Sequence, residues 1–122
     1  MERTVLVIED EPNIIEAISF ILSRDGWRVV THSNGVDAVE AVAKRQPDLV
    51  ILDLMLPGRS GFDILRDLRA RPDMASLPVL MLTARGQTQD REMADSLGAS
   101  QFIAKPFSNA EVLEAANALV AL

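Results

Sequence analysis

The chain has 122 residues, of which 48% are hydrophobic and 25% are charged, with six Gly, six Pro and no Cys. This profile predicts one domain over residues 1–122 that folds without disulfides or a structural metal, and it excludes thiolate nucleophiles, zinc ribbons and iron–sulfur clusters. A formal net charge of −6 disfavours direct binding of this domain to nucleic acid or to an anionic membrane.

Five short apolar runs alternate with amphipathic stretches along the chain. The runs cover residues 5–8, 28–31, 49–52, 79–82 and the weaker 101–104. The first, third and fourth have no polar alternation, which is typical of parallel strands that helices cover on both faces. We therefore expect these three runs to be the central strands of a sheet.

The first three intervening segments predict amphipathic helices. One begins at Pro12 and ends at Gly26, and the third begins at Ser60 or Gly61. The second is expected to open at Asn34-Gly35 and to bury the stripe Val36, Val39 and Ala43.

The last two helices differ in strength. Residues 88–97 are mostly polar, so a mobile fourth helix is expected, which buries only Met93, Ala94 and Leu97. The fifth helix begins at Ser108, and Glu111 completes a capping box. Strands that alternate with helices imply right-handed crossovers and a doubly wound, three-layer α/β sandwich.

Chemically active side chains follow four of the five predicted strands. The endings are Glu9-Asp10-Glu11, Asp53, Thr83-Ala84 and Lys105-Pro106. Each ending alone has an ordinary structural explanation: an acidic helix entry, a turn residue, a local cap and a solvated lysine. Together they would meet at the carboxyl edge of the sheet, where α/β proteins of this type place their working groups.

The combination of groups suits magnesium and phosphoryl chemistry. Three carboxylates and one ammonium sum to a charge of −2, which one Mg²⁺ would neutralise, and Mn²⁺ is an alternative ion. We expect Asp10 and Asp53 to be direct ligands and Glu9 to act through water. A phosphoryl group could then be held by Lys105 and Thr83 while Asp53 acts as the nucleophile.

With these residues, the whole chain resembles a response-regulator receiver domain. The matching positions are Glu9 and Asp10 for the acidic pair, Asp53 for the phospho-acceptor, Thr83 with the small Ala84 for the hydroxyl switch, and Lys105-Pro106 for the lysine. The resemblance implies a flavodoxin-like sheet with the strand order 2-1-3-4-5, which is the order found in this family. It also implies a cis peptide bond before Pro106, an aromatic switch at Phe102 and a metal-binding backbone carbonyl at Met55.

The function implied by the resemblance is a signalling switch rather than a turnover enzyme. A histidine kinase, a phosphotransfer protein or a small acyl phosphate would phosphorylate Asp53, and the bound phosphate would draw Thr83 inward and let Phe102 rotate inward. Slow self-dephosphorylation is expected, because the bulky side chains of Met55 and Arg85 would flank the acyl phosphate.

The sequence also supports expectations about the output of the switch and about its location in the cell. A downstream protein or a fused output domain would read the switch, in a stand-alone protein or as part of a longer one. The chain has no signal peptide and no apolar run near the ~20 residues that span a bilayer, so a cytoplasmic location without membrane contact is expected. The fifth helix is apolar around much of its circumference, which would suit a phosphorylation-dependent homodimer. Its apolar residues are Val112, Leu113, Ala115, Ala116, Ala118, Leu119, Val120, Ala121 and Leu122.

Four other functions compete with this one. An FMN carrier would need phosphate-binding backbone donors where the acidic residues 9–11 lie, and a dinucleotide site would need glycines there. A haloacid-dehalogenase-like phosphatase would need an Asp where Met55 stands. A non-phosphorylated pseudo-receiver that acts as an adaptor remains the alternative.

Overall fold

Five parallel strands form a single sheet in the order β2-β1-β3-β4-β5, as seen in a computed structural model that describes residues 2–84 and 88–121. The strands are β1 (Thr4–Ile8), β2 (Arg28–His32), β3 (Leu49–Asp53), β4 (Val79–Thr83) and β5 (Gln101–Ala104). The residues of β3 and β4 are all buried. The predicted strand order and the central position of the three apolar runs are therefore confirmed.

Five helices cover the two faces of the sheet and complete the predicted three layers. They are α1 (Pro12–Arg24), α2 (Ala38–Arg45), α3 (Gly61–Ala70), α4 (Thr88–Ser96) and α5 (Asn109–Val120). One core cluster joins α1 and α5 to the sheet, and the other joins α2, α3 and α4 to its opposite face. Among residues 2–84 and 88–121, the helices are all too short or too polar to cross a membrane.

The predicted start of α2 is wrong by three to four residues. The helix begins at Ala38 and buries Ala38 and Val42, while Val39 and Ala43 of the predicted stripe are half-buried against the core. Val36 precedes the helix and its side chain is 66% exposed. The Asn-Gly signal marks a loop here, because the Asn34 side chain accepts the N–H of Val36 at 2.7 Å and so turns the backbone before the helix.

Two expectations about the last helices also need correction. Ala94 is buried and Leu97 packs against the core as predicted, but Met93 is exposed and α4 also buries Asp90. The apolar residues Leu113, Leu119 and Val120 of α5 are half-buried against the core cluster that includes α1. They are less exposed than the sequence suggests, because α5 contacts both α1 and the sheet.

The capping box at the start of α5 is confirmed. The Ser108 hydroxyl accepts the N–H of Glu111 at 3.1 Å, and the Glu111 carboxylate accepts the N–H of Ser108 at 2.9 Å. Two backbone donors that have no partner within the helix are satisfied in this way.

We expect Ser108→Ala to lower the free energy of unfolding by about 1 kcal/mol, because it removes the oxygen that accepts the Glu111 N–H. Urea melts measure this change, and Ser108→Asp is the matched control because its carboxylate can accept the same hydrogen bond. Equal midpoints for wild type and Ser108→Ala would contradict the assigned role.

Candidate functional site

The carboxyl edge of the sheet brings together the four strand endings that the sequence singled out. Asp53 is the last residue of β3 and Thr83 the last of β4, while Glu9 and Lys105 directly follow β1 and β5. Because all the strands are parallel, these residues share one edge, and pairing of Thr83 with Ala104 brings Lys105 next to β4. The N–H of Lys105 donates to the Thr83 carbonyl at 2.6 Å.

Three carboxylates form a compact acidic cluster at this edge. Glu9, Asp10 and Asp53 each offer an oxygen, and these oxygens all lie within 4.8 Å of one another. Glu9 is fully buried and Asp53 is 2% exposed, whereas Asp10 is open to solvent. One Glu9 oxygen accepts the N–H groups of Asp10 at 3.0 Å and of Glu11 at 3.2 Å, which fixes its carboxylate at the start of α1.

The Lys105 ammonium lies among the carboxylates. Its Nζ is 2.9 Å from Glu9 Oε1, 3.3 Å from Asp53 Oδ1 and 3.7 Å from Glu11 Oε1. Burial lowers the pKa of Lys105, but its hydrogen bond to Glu9 and the charges of Asp53, Glu9 and Glu11 outweigh the effect of burial, so its pKa is raised. Glu11 was assigned no role from the sequence, and only the fold shows that it faces the lysine.

Asp53 has the most perturbed acidity in the site. Burial of the carboxyl group and the neighbouring charge of Glu9 raise the pKa of Asp53 to about 7, against the opposing charge of Lys105 and the backbone N–H of Met55. A carboxylate with this affinity for a proton is held in an environment that lacks enough positive charge. A bound cation would therefore stabilise the ionised form of Asp53.

The donor set fits a hard divalent ion such as magnesium. All the side-chain groups are carboxylate oxygens, and they converge within the distance that one ion can bridge. The exposed Asp10 lies beside an open cavity of about 710 Å³ that Met55 and residues 56–60 also line, so water ligands of an ion at Asp10 would have room there.

The other expected functional residues lie around this cluster. Thr83 is fully buried, Ala84 is exposed, and the peptide bond between Lys105 and Pro106 is cis, as the resemblance implied. The Met55 side chain is 59% exposed at the opening of the site. Arg85, the second bulky residue predicted to flank the acceptor, lies outside the described residues.

Phe102 occupies β5, next to Met81 of β4. Its ring is almost completely buried in the core cluster shared with α2, α3 and α4, and the guanidinium of Arg91 stacks over it at 5.0 Å. The expected core position of Phe102 is therefore confirmed, and its switch role, implied by the resemblance, stays a prediction. In this structure the ring already lies inward.

A comparison with known sequences matches this arrangement to one family. The family model "Response regulator receiver domain" matches residues 5–117. A curated relative from Mycobacterium tuberculosis, named "Probable transcriptional regulatory protein TcrX", is 41% identical over 117 residues. Those residues are 96% of this chain and 49% of the relative, so the chain spans about half the length of that protein.

Solved structures give the same result. A candidate response regulator from Chloroflexus aurantiacus has a TM-score of 0.95 and 30% identity, with 100% of both chains covered. The receiver domain of a sensor histidine kinase from Pseudomonas aeruginosa, solved with a magnesium ion coordinated in its active-site cleft, has a TM-score of 0.90 and 28% identity, again with 100% of both chains covered. The fold, the edge of acidic residues with one lysine, and these matches place the chain in the response-regulator receiver domain family of two-component systems.

Proposed function

We propose that this domain is a phosphorylation-controlled switch in which Asp53 accepts a phosphoryl group from the phosphohistidine of a histidine kinase or phosphotransfer protein, or from a small acyl phosphate. One observation carries the proposal. The Asp53 carboxylate is buried at the end of a central strand, 3.3 Å from Lys105 Nζ and within the cluster formed by Glu9 and Asp10. The nucleophilic Asp53 oxygen therefore lies beside the Lys105 ammonium, which can attract the negatively charged oxygens of a phosphoryl group.

Each residue has a distinct part in the proposed transfer. An Asp53 oxygen attacks phosphorus, so that an O–P bond forms as the donor's N–P or O–P bond breaks. Lys105 holds phosphoryl oxygens as a point charge, and the Thr83 hydroxyl binds another of them. Glu9, Asp10, Asp53 and the Met55 carbonyl would hold Mg²⁺, or Mn²⁺ in its place, and the bound ion supplies positive charge to the phosphoryl oxygens.

The same proposal covers the output. Binding of phosphate biases Thr83, the adjoining Ala84 and Phe102 toward one arrangement by contacts made in only one state, which changes the face formed by α4, β5 and α5. A downstream protein, a fused output domain or a second copy of the domain would read that face. The relative of twice this length supports a fused output domain, and a cytoplasmic location fits a kinase partner.

Labelling with acetyl phosphate tests the proposal. We expect wild type to gain one phosphoryl group, detected by intact-mass spectrometry, in MgCl₂ but not in EDTA, and we expect Asp53→Asn to gain none in either. Asp95→Asn is the matched control, because it makes the same chemical change at an exposed position on α4.

If the domain is instead a non-phosphorylated adaptor, wild type is expected to gain no phosphoryl group. An unlabelled wild-type protein in saturating Mg²⁺, or undiminished labelling of Asp53→Asn, would contradict phosphoryl transfer to this residue.

A further inference from the structure

Two loops pack against each other beside the acidic cluster. The β2–α2 loop comprises residues 33–37 and the β3–α3 loop comprises residues 54–60. The N–H of Gly35 donates to the carbonyl of Pro57 at 3.1 Å, and Gly35 is buried although it belongs to a surface loop. A Cβ at this position would lie 2.7 Å from the Arg59 carbonyl oxygen and 2.9 Å from Arg59 Cβ. Only glycine therefore allows the two backbones to approach so closely.

A second contact joins the same loops through Val36. Gly58 has a φ of +84°, and a Cβ there would lie 2.5 Å from Val36 Cγ2, so the valine methyl group occupies the space above this glycine. The Asn34 side chain holds the N–H of Val36 at 2.7 Å and fixes the direction of the valine. This contact explains why a valine that is 66% exposed lies outside the helix.

The β3–α3 loop is fixed on its other side by α3. The Arg59 guanidinium forms an ion pair with Asp67 and donates to the carbonyl of Asp63 at 3.4 Å. The two ends of the loop are also tied, because Leu54 donates to the Leu82 carbonyl and Gly61 donates to the Leu54 carbonyl, both at 2.8 Å. The middle of the loop is thus clamped between the β2–α2 loop and α3.

The clamped loop carries Met55, whose backbone serves the site at two atoms. Its N–H is a hydrogen-bond donor toward the Asp53 carboxyl group, and its carbonyl is the backbone oxygen that the proposed function gives to the metal ion. Met55 is 59% exposed, so its side chain can contribute little packing. The position of these two backbone atoms therefore depends on the loop and not on the packing of the side chain.

We propose that Gly35 and Val36 are positioning residues for the metal and phosphoryl site, and that they act by holding the β3–α3 loop so that the backbone of Met55 faces Asp53. This inference rests on the proposed function and adds two residues, on a strand-edge loop, that touch neither the ion nor the phosphoryl group. Groups that orient metal ligands in this way commonly change metal affinity by about tenfold or more when they are altered.

Gly35→Ala is the direct test. Gly35 does not have a positive φ, so its own backbone accepts alanine, and the added methyl group must displace the backbone of Arg59. We expect the Mg²⁺ dissociation constant, measured by NMR titration at a temperature where the protein is fully folded, to rise about tenfold. We expect half-maximal labelling by acetyl phosphate to need correspondingly more Mg²⁺, with a rate at saturating Mg²⁺ close to that of wild type.

Val36→Ala is the second variant, and it cannot fail to fold for lack of core, since Val36 is mostly exposed. It removes the methyl groups above Gly58, and it should raise the Mg²⁺ dissociation constant by a smaller factor. Ser33→Ala is the matched control, an exposed position of the same loop that should leave this constant unchanged.

The outcomes separate this inference from the proposed function. If wild type binds Mg²⁺ and both variants bind it equally well, even with a lower free energy of unfolding, the two residues are merely structural and the inference is overturned. If wild type does not bind Mg²⁺ at all, the metal site and the inference fail together. If Mg²⁺ affinity falls as expected but Asp53 is not labelled, the positioning role stands and phosphoryl transfer fails.

Discussion

In EDTA, Asp53→Asn is expected to be more stable than wild type by about 0.5 to 2 kcal/mol, the range commonly gained when a functional site is relieved of strain. The buried Asp53 carboxylate lies beside Glu9 and Asp10, and the Lys105 ammonium, 3.3 Å from Asp53 Oδ1, balances one of these negative charges. The amide has nearly the same shape and carries no charge, so the substitution removes repulsion without leaving a cavity. Urea melts of both proteins at pH 8 measure the difference.

Magnesium should reduce or reverse the difference in stability between Asp53→Asn and wild type. Binding of an ion at a hundred times its dissociation constant stabilises the folded state by about 2.7 kcal/mol. The variant lacks one charged ligand and should forfeit most of that gain. An Asp53→Asn protein that is less stable than wild type in EDTA would contradict the proposed clustering of charge.

The advantage of the variant should also depend on pH. Because burial and the charge of Glu9 raise the pKa of Asp53 from its ordinary 3.8 to about 7, the folded wild type takes up a proton as the pH falls below 7 while the unfolded chain does not. Wild type therefore gains stability relative to Asp53→Asn between about pH 7 and pH 4. The difference should be largest above pH 7 and shrink on acidification.

Two controls complete this experiment. Lys105→Ala should destabilise the metal-free protein by about 1 to 3 kcal/mol, because it leaves buried carboxylates without their cation. Asp95→Asn removes one negative charge from an exposed position, and its effect should stay within about 0.5 kcal/mol. If Asp95→Asn stabilises as much as Asp53→Asn, the gain reflects net charge and not the site.

Met55→Asn is expected to shorten the half-life of the phosphorylated protein about tenfold. This factor is smaller than the rate enhancement that a positioned acid or base commonly gives. Met55 lies two residues after Asp53, and its side chain is exposed at the opening of the site. A bulky apolar side chain there hinders an attacking water molecule. The amide of asparagine can instead form a hydrogen bond with that water molecule and orient it. Loss of the phosphoryl group over time, followed by intact mass in EDTA-quenched samples, gives the half-life.

Met55→Leu separates size from chemistry in this experiment. Leucine keeps an apolar side chain of similar volume, so the half-life should stay close to that of wild type. Arg85→Ala tests the second flanking residue and should also shorten the half-life. If Met55→Asn and Arg85→Ala both leave the half-life unchanged, the steric account is wrong.

Local patterns were sufficient to predict most of the elements. The apolar runs that became β1, β3 and β4 have no polar alternation, and such runs are stable only where helices cover both faces of a sheet. Ser108 and Glu111 predicted the start of α5 because a capping box depends on residues within one turn. The start of α2 was not predictable in this way, since Gly35 is bound to Pro57 of another loop rather than to its own helix.

The residues that meet at the site could be predicted before the fold was known. Parallel strands put all their carboxyl ends at one edge, and the strand order implied by the resemblance makes β1, β3, β4 and β5 consecutive, so Glu9, Asp53, Thr83 and Lys105 were expected to lie together. How these residues interact depends on three-dimensional packing. The charge of Glu11 at 3.7 Å from Lys105, the raised pKa of Asp53 and the clamp on the Met55 backbone, where Gly35 donates to Pro57 at 3.1 Å, depend on distances between segments far apart in the sequence. Such distances follow from packing of the whole chain, and no local pattern encodes them.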